Sequence, residues 1–255
     1  MSRFRSLARR MLGVRRIPTY YLPWITRPGL ECALLVNNIE VRFKSGYNEG
    51  PFPASIVQYD ADGRRVRDYA ITLGDNADTA EVRLDPTAAG CGFVTVAGER
   101  IRSDLYVTLS DGATYTATHG RGEFIEHYPP WTAAMIALLG SALALAGRSL
   151  ATFARDQFVY LGPDSRSHLV LMNLSNIVNR IRVEASDGGR TLGARLVRLP
   201  PRGTCLVDVG QLGGAPSGGT VVRRLRLEGN AWFNLYLLGA GPRDLAGPLS
   251  LMHVK

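Results

Sequence analysis

The sequence predicts an all-β protein of two tandem antiparallel β-sandwich units, immunoglobulin- or jelly-roll-like, with one helix in front and another between them. Three observations predict it. Five short motifs occur twice in the same order, about 130 residues apart. Turn signals recur at short, regular spacing through both copies, as expected for sandwich strands. Outside two segments, no helical periodicity interrupts the pattern.

The duplication is read from matched residues. Tyr21-Leu22-Pro23, then Arg27, then an apolar run over 30–36 ending at Asn37, recurs as Tyr160-Leu161-Gly162, Arg166 and the run 169–172 ending at Asn173. The turn at 59–64 is echoed at 185–190, and residues 81–85 at 206–210. Leu105-Tyr106-Val107 returns as Leu235-Tyr236-Leu237, and His119 returns as His253. An internal copy of this kind implies one β-rich module used twice.

Residues 1–16 form the first element. Phe4, Leu7, Ala8, Met11 and Leu12 recur at helical spacing, and Arg3, Arg5, Arg9, Arg10, Arg15 and Arg16 occupy the other face. Gly13 and Pro18 would end this amphipathic helix. No apolar core of a signal peptide follows the basic start. The face that presents Phe4, Arg5, Leu7, Arg9, Arg10 and Met11 is the candidate for an anionic membrane surface.

Residues 17–128 are the first sandwich. Strands are expected at 31–37, 55–59, 66–72, 93–96, 101–109 and 115–118. Asp60-Ala61-Asp62-Gly63 between two of them is a hairpin turn, because Asp and Gly tolerate positive φ. Ala97-Gly98-Glu99 reads as a second hairpin.

Residues 129–156 are the linker. Pro129-Pro130 suits a helix start, and residues 131–147 carry no charge. A helix running to Asp156 would be about 26 residues and ~39 Å long. Seventeen uncharged residues reach the lower limit of a membrane span, but nearly half are Ala or Gly. A single crossing would also put two copies of one module on opposite sides of a bilayer. The expected arrangement is therefore a helix packed on the sandwiches, with insertion as the alternative. Residues 157–255 are the second sandwich, with strands expected at 158–161, 168–174, 180–184, 194–199, 204–209, 221–227, 233–238 and 249–253.

Net charge is +8, nearly all of it arginine, and its spread is uneven: +6 over 1–16, −5 over 17–128 and +7 over 129–255. Aromatic residues are not interleaved with the basic ones as stacking platforms require, which argues against nucleic acid. Cys32, Cys91 and Cys205 have no metal-like spacing, and Cys32 matches Leu171 in the repeat, so buried structural thiols in a reducing compartment are expected.

No phosphate-binding loop or nucleophile elbow occurs, so neither a catalytic centre nor a cofactor is expected. His119, Glu123, Glu126 and His127 are metal-ligand types, but not at the spacing of one strand face or helix turn. The polar residues kept in both copies, Arg27 and Arg166, Asn37 and Asn173, Tyr106 and Tyr236, His119 and His253, are read as shared folding devices or as lining for equivalent ligand grooves. The expected function is a non-catalytic interaction scaffold, cytoplasmic and peripheral on the inner face of a bacterial membrane, whose partner is a protein or a second copy. The alternative is an envelope protein that binds carbohydrate or a small ligand, with Trp24, Tyr47, Trp131 and Trp232 exposed as stacking platforms.

Overall fold

The computed structural model describes residues 11–37, 51–74, 79–85, 90–98, 101, 105–120, 122–148, 150–214, 218–241, 245 and 249–253. In chain order the strands of the first part are β1 (Arg15–Thr26), β2 (Glu31–Asn37), β3 (Phe52–Tyr59), β4 (Arg65–Leu73), β5 (Thr79–Arg83), β6 (Gly90–Ala97), β7 (Leu105–Ser110), β8 (Tyr115–Gly120) and β9 (Gly122–His127). Helix α1 (Pro130–Leu145) follows. The second part comprises β10 (Phe153–Leu161), β11 (Arg166–Asn173), β12 (Asn179–Asp187), β13 (Arg190–Leu199), β14 (Thr204–Asp208), the short α2 (Gly210–Gly213), β15 (Val221–Gly229), β16 (Phe233–Ala240) and β17 (Ser250–His253).

The chain is all-β and sandwich-like, with four antiparallel sheets. Their strand orders are β4-β3-β6-β1-β9, β5-β2-β7-β8, β10-β15-β12-β13 and β14-β11-β16-β17. Once β9 is set aside, the second pair of sheets repeats the order of the first pair, with every strand number raised by nine.

The two larger cores among the described residues follow from strand alternation. The sheets containing β10 and β11 enclose Val159, Leu169, Leu171, Ile181, Val183, Leu225, Leu227, Phe233 and Leu235. The other core joins Leu22, Trp24, Leu34, Ile56, Phe93 and Val107 to Val170, Met172, Tyr236, Leu238 and Leu251. Strand β11 is thus buried on both faces, which is why residues 169–172 are apolar without alternation. One face serves the second core, and the other packs against the first part of the chain.

The β3–β4 turn docks on that second part. Thr204 N donates to Ala61 O over 2.9 Å. Gly63 has φ +76°, and a Cβ there would lie 1.9 Å from Pro201 O. Only glycine permits this approach.

Several expectations change. Residues 1–10 of the expected N-terminal helix, including Phe4, Arg5, Leu7, Arg9 and Arg10, lie outside the described residues, while Arg15 and Arg16 open β1. β6 and β7 are not paired with each other, as the hairpin expected over Ala97-Gly98-Glu99 requires: β6 pairs with β1 and β3, while β7 pairs with β2 and β8 in another sheet. Helix α1 ends at Leu145 instead of running to Asp156. Gly147 sits at φ +65°, Arg148 N donates to Leu143 O and Gly147 N to Ala144 O, a paired C-terminal closure that caps the last carbonyls and turns the chain away.

Candidate functional site

Helix α1 carries the most unusual surface among the described residues. Its 16 residues contain no charge, yet only Thr132, Ile136 and Gly140 are buried. That stripe, at i, i+4 and i+8, is the docking face. Ile136 packs with Tyr128, Ile177 and Ala231, and Thr132 Oγ1 donates to Leu12 O over 2.7 Å. The remainder faces outward: Trp131 is 56% exposed, Leu138 73% and Leu145 93%, with Met135 and Leu139 also exposed. Arginines from the sheet beneath flank the helix. Arg180 Nη2 donates to Ser141 Oγ over 2.9 Å, Arg182 Nη1 to Gly147 O over 3.4 Å, and Arg148 follows directly. Among the described residues no helix is long and apolar enough to cross a membrane.

A second polar feature lies inside the molecule, at the seam between its two parts. Tyr21 Oη donates to Glu123 Oε2 over 2.6 Å and accepts from Asn234 Nδ2 over 2.8 Å. Arg155 Nη1 donates to Asn234 Oδ1 over 2.9 Å, and Asn234 Nδ2 also lies 3.0 Å from His253 Nε2. The network links a half-buried carboxylate to a half-buried guanidinium through neutral groups, of which Tyr21 and Asn234 are buried. Burial, reinforced by Glu123, pushes the Tyr21 hydroxyl far above the usual phenol range. Burial pulls Arg155 below the ordinary guanidinium value, opposed by Tyr21 and Glu123.

Four of the polar residues matched between the sequence motifs meet beside this network. Tyr106 lies opposite His119 on β7–β8, and Tyr236 lies opposite His253 on β16–β17. His253 stacks on Tyr236 at 4.7 Å, meets His119 edge-on at 6.4 Å, and His119 meets Tyr106 at 6.4 Å. One aromatic row therefore crosses the seam, from half-exposed Tyr106 to buried Tyr236.

The remaining pairs are placed differently. Asn173 is buried and donates from Nδ2 to Ile177 O and Pro200 O, each over 2.7 Å, while accepting from Ser175 Oγ. Asn37 ends β2 opposite Thr79 and is half-buried. Arg27 and Arg166 line one common cavity.

The residues weighed as metal ligands are scattered by β9. Glu123 binds Tyr21, Glu126 binds Arg16 and Tyr128, and His127 is exposed. Among the described residues no three His, Cys, Asp or Glu side chains form a metal-holding group. The stacking-platform expectation also changes. Trp24 is buried and donates to Tyr59 O, and Trp232 packs between Phe124 and Phe153. Trp131 alone of the described three is exposed; Tyr47 lies outside the described residues. All three cysteines are free, and burial pushes Cys32 up to about 12, Cys91 to about 11 and Cys205 to about 12, so none is a ready nucleophile.

Sequence reasoning missed Glu123, Asn234 and Asp208 as partners of these groups. Asp208 lies opposite His168 in the β11–β14 register, a relation between residues 40 positions apart that local pattern does not display. No protein-family model matches the chain, and no curated protein is significantly similar to it.

Proposed function

We propose that the chain is a non-catalytic scaffold that attaches reversibly to an anionic membrane surface through α1, and holds two tandem β-sandwich units of duplicated origin above it. The observation that carries this reading is the exposed apolar surface of α1. A helix apolar all round is normally enclosed by protein or lipid, and here the chain itself covers only one stripe of it.

At 1.5 Å per residue α1 is ~24 Å long, short of the ~30 Å hydrocarbon core, so it lies in the interface rather than spanning it. Burying large side chains such as Leu138, Leu139 and Leu145 contributes roughly 1.5–3 kcal/mol each. Arg148 and Arg180 beside the helix would add attraction to acidic headgroups, screened by salt. Free thiols favour the reducing, cytoplasmic side. Support for the duplication is the repeated strand order of the two pairs of sheets.

Co-sedimentation with vesicles containing phosphatidylglycerol tests the reading. The intact chain is expected to bind these in preference to neutral vesicles. The double variant Leu138→Glu/Leu145→Glu should bind at least tenfold more weakly with an unchanged unfolding midpoint. Failure of the wild type to bind either vesicle overturns the membrane reading. Concentration-dependent self-association abolished by the same double variant would replace it with a second copy as the partner.

A further inference from the structure

Where β11 begins, at the seam, a half-open cavity of about 310 Å³ collects Arg27 from the first part of the chain with Arg166, His168 and Arg195 from the second. Strand alternation explains the convergence. Arg166 and His168 occupy the β11 face that carries Val170 and Met172 against the first part, and Leu206 and Asp208 share the equivalent face of β14. Leu206 and Leu245 supply an apolar wall, and Gln211 a further polar group.

Among the described residues, Asp208 is the one acid that lines this cavity beside Arg166 and Arg195. Asp208 faces three guanidiniums, and its Oδ1 already accepts from Gly210 N over 2.8 Å. The side chains of Arg166 and Arg195 make no hydrogen bond or ion pair among the described residues. Arginines on the neighbouring sheet face behave differently: Arg182 holds Glu184, Arg224 holds Asp156 and Arg226 holds Glu228. His168 Nε2 is buried with no hydrogen-bond partner, so the cavity wall also holds an unused ring nitrogen. Burial, helped by Arg27 and Arg166 against Asp208, keeps His168 below its usual value.

We infer that this cavity is a binding site for a small soluble oxyanion, a phosphate or carboxylate compound, clamped between the two parts of the chain. Planar guanidinium forks match the oxygens of either group, and the volume lies at the lower end of the range for small-ligand sites. A dissolved ligand fits better than a lipid headgroup. β11 runs from the cavity at Arg166 to Asn173, and α1 docks beyond that far end, on Ile177. Seven residue steps at ~3.3 Å separate the two ends by roughly 23 Å.

Calorimetric titration of the full chain with inorganic phosphate and with succinate, at fixed ionic strength set by chloride, tests the assignment. At least one is expected to bind in a saturable 1:1 manner and to raise the melting temperature. The exposed double variant Arg166→Ala/Arg195→Ala should weaken that binding at least tenfold while leaving the ligand-free melting temperature in place; Arg27→Gln is an independent second variant. The inference is overturned if neither anion binds more tightly than chloride, if both variants bind as the wild type does, or if only phosphatidylglycerol vesicles are bound through these arginines.

Discussion

Asn234 donates its side-chain amide to the Tyr21 hydroxyl across 2.8 Å, joining β16 to β1 over 213 positions of sequence. Tyr21 is 1% exposed and Asn234 is fully buried, so this bond is sheltered from water. The same hydroxyl donates to Glu123, which makes one oxygen atom the bridge between a carboxylate on β9 and an amide on β16.

Replacing Tyr21 by Phe keeps the ring and removes the bridge. Half-buried Glu123 loses a donor, and the fully buried Asn234 amide loses one acceptor while keeping its contact with His253. The expected cost is about 1–3 kcal/mol, the range for a buried polar group left unsatisfied. Urea unfolding followed by tryptophan fluorescence measures it. A midpoint unchanged from wild type would mean that the seam network contributes no stability.

The alkaline limb of stability follows from buried acids held protonated. Burial keeps Cys32 at about 12, Cys91 at about 11 and Cys205 at about 12, against 9.0 for a free thiol. Tyr21 and Tyr236 are likewise raised from 10.0. The unfolded chain therefore releases these protons first, and the folded chain retains them. Stability is fully present below pH 9 and falls as pH rises toward the folded values, by about 1.4 kcal/mol per pH unit for each group ionised only when unfolded. Denaturant midpoints from pH 7 to 11 check this. The Cys32→Ala variant should show a shallower decline than wild type; an identical slope would remove Cys32 as a contributor.

Much of this all-β architecture is legible in the sequence, because several short motifs occur twice and fall on strands at corresponding places in the two pairs of sheets. Asn37 and Asn173 both end the second strand of their sheet pair, and the matched Tyr and His residues stand opposite one another in both copies. β1 was not legible because Pro18 and Pro23 read as breakers. It pairs with β9 only over Arg15–Tyr20 and with β6 only over Tyr20–Thr26. Each proline thus has a neighbour on one side alone, and its missing N–H need not break a ladder bond. β9 was hidden because Glu123, Glu126 and His127 look like ligands rather than a strand. The length of α1 could not be read from hydropathy, since the Gly147 turn ends it within an apolar run. Nor does apolarity alone say which face of such a helix is covered. The anion cavity needed register as well as pattern: Arg27 and Arg166 match in the repeat, yet only the seam brings them together.

Gly63 should tolerate no side chain. Alanine there meets both a left-handed backbone and a contact 1.9 Å from Pro201 O. The turn can relieve the clash only by lifting off the residues that precede β14, breaking the bond from Thr204 N to Ala61 O. Gly63→Ala is expected to cost at least about 2 kcal/mol. Gly112→Ala, also at positive φ but with open space around the added carbon, should cost less. The difference between the two unfolding midpoints isolates the docking contact from backbone strain, and equal losses would show that the hairpin is not held against Pro201.

Asn173 offers the sharpest separation between a folding role and a binding role for the duplicated polar residues. Its amide nitrogen holds Ile177 O and Pro200 O at 2.7 Å, and its oxygen accepts from Ser175. These bonds pin the loop after β11 to the turn before β14, close to the Ile177 contact that seats α1. Asn173→Ala removes three side-chain bonds from a fully buried site, although Pro200 O keeps Gly203 N and Ile177 O keeps Ser175 Oγ, for an expected loss of about 1–3 kcal/mol. Asn173→Gln cannot restore the bonds, since one more methylene overfills a close-packed site. Loosening this corner should also free α1, so tryptic cleavage after Arg148 should accelerate in the alanine variant under native conditions. Unchanged stability with unchanged cleavage would mean that Asn173 is not kept for folding, and its duplication with Asn37 would need a different cause.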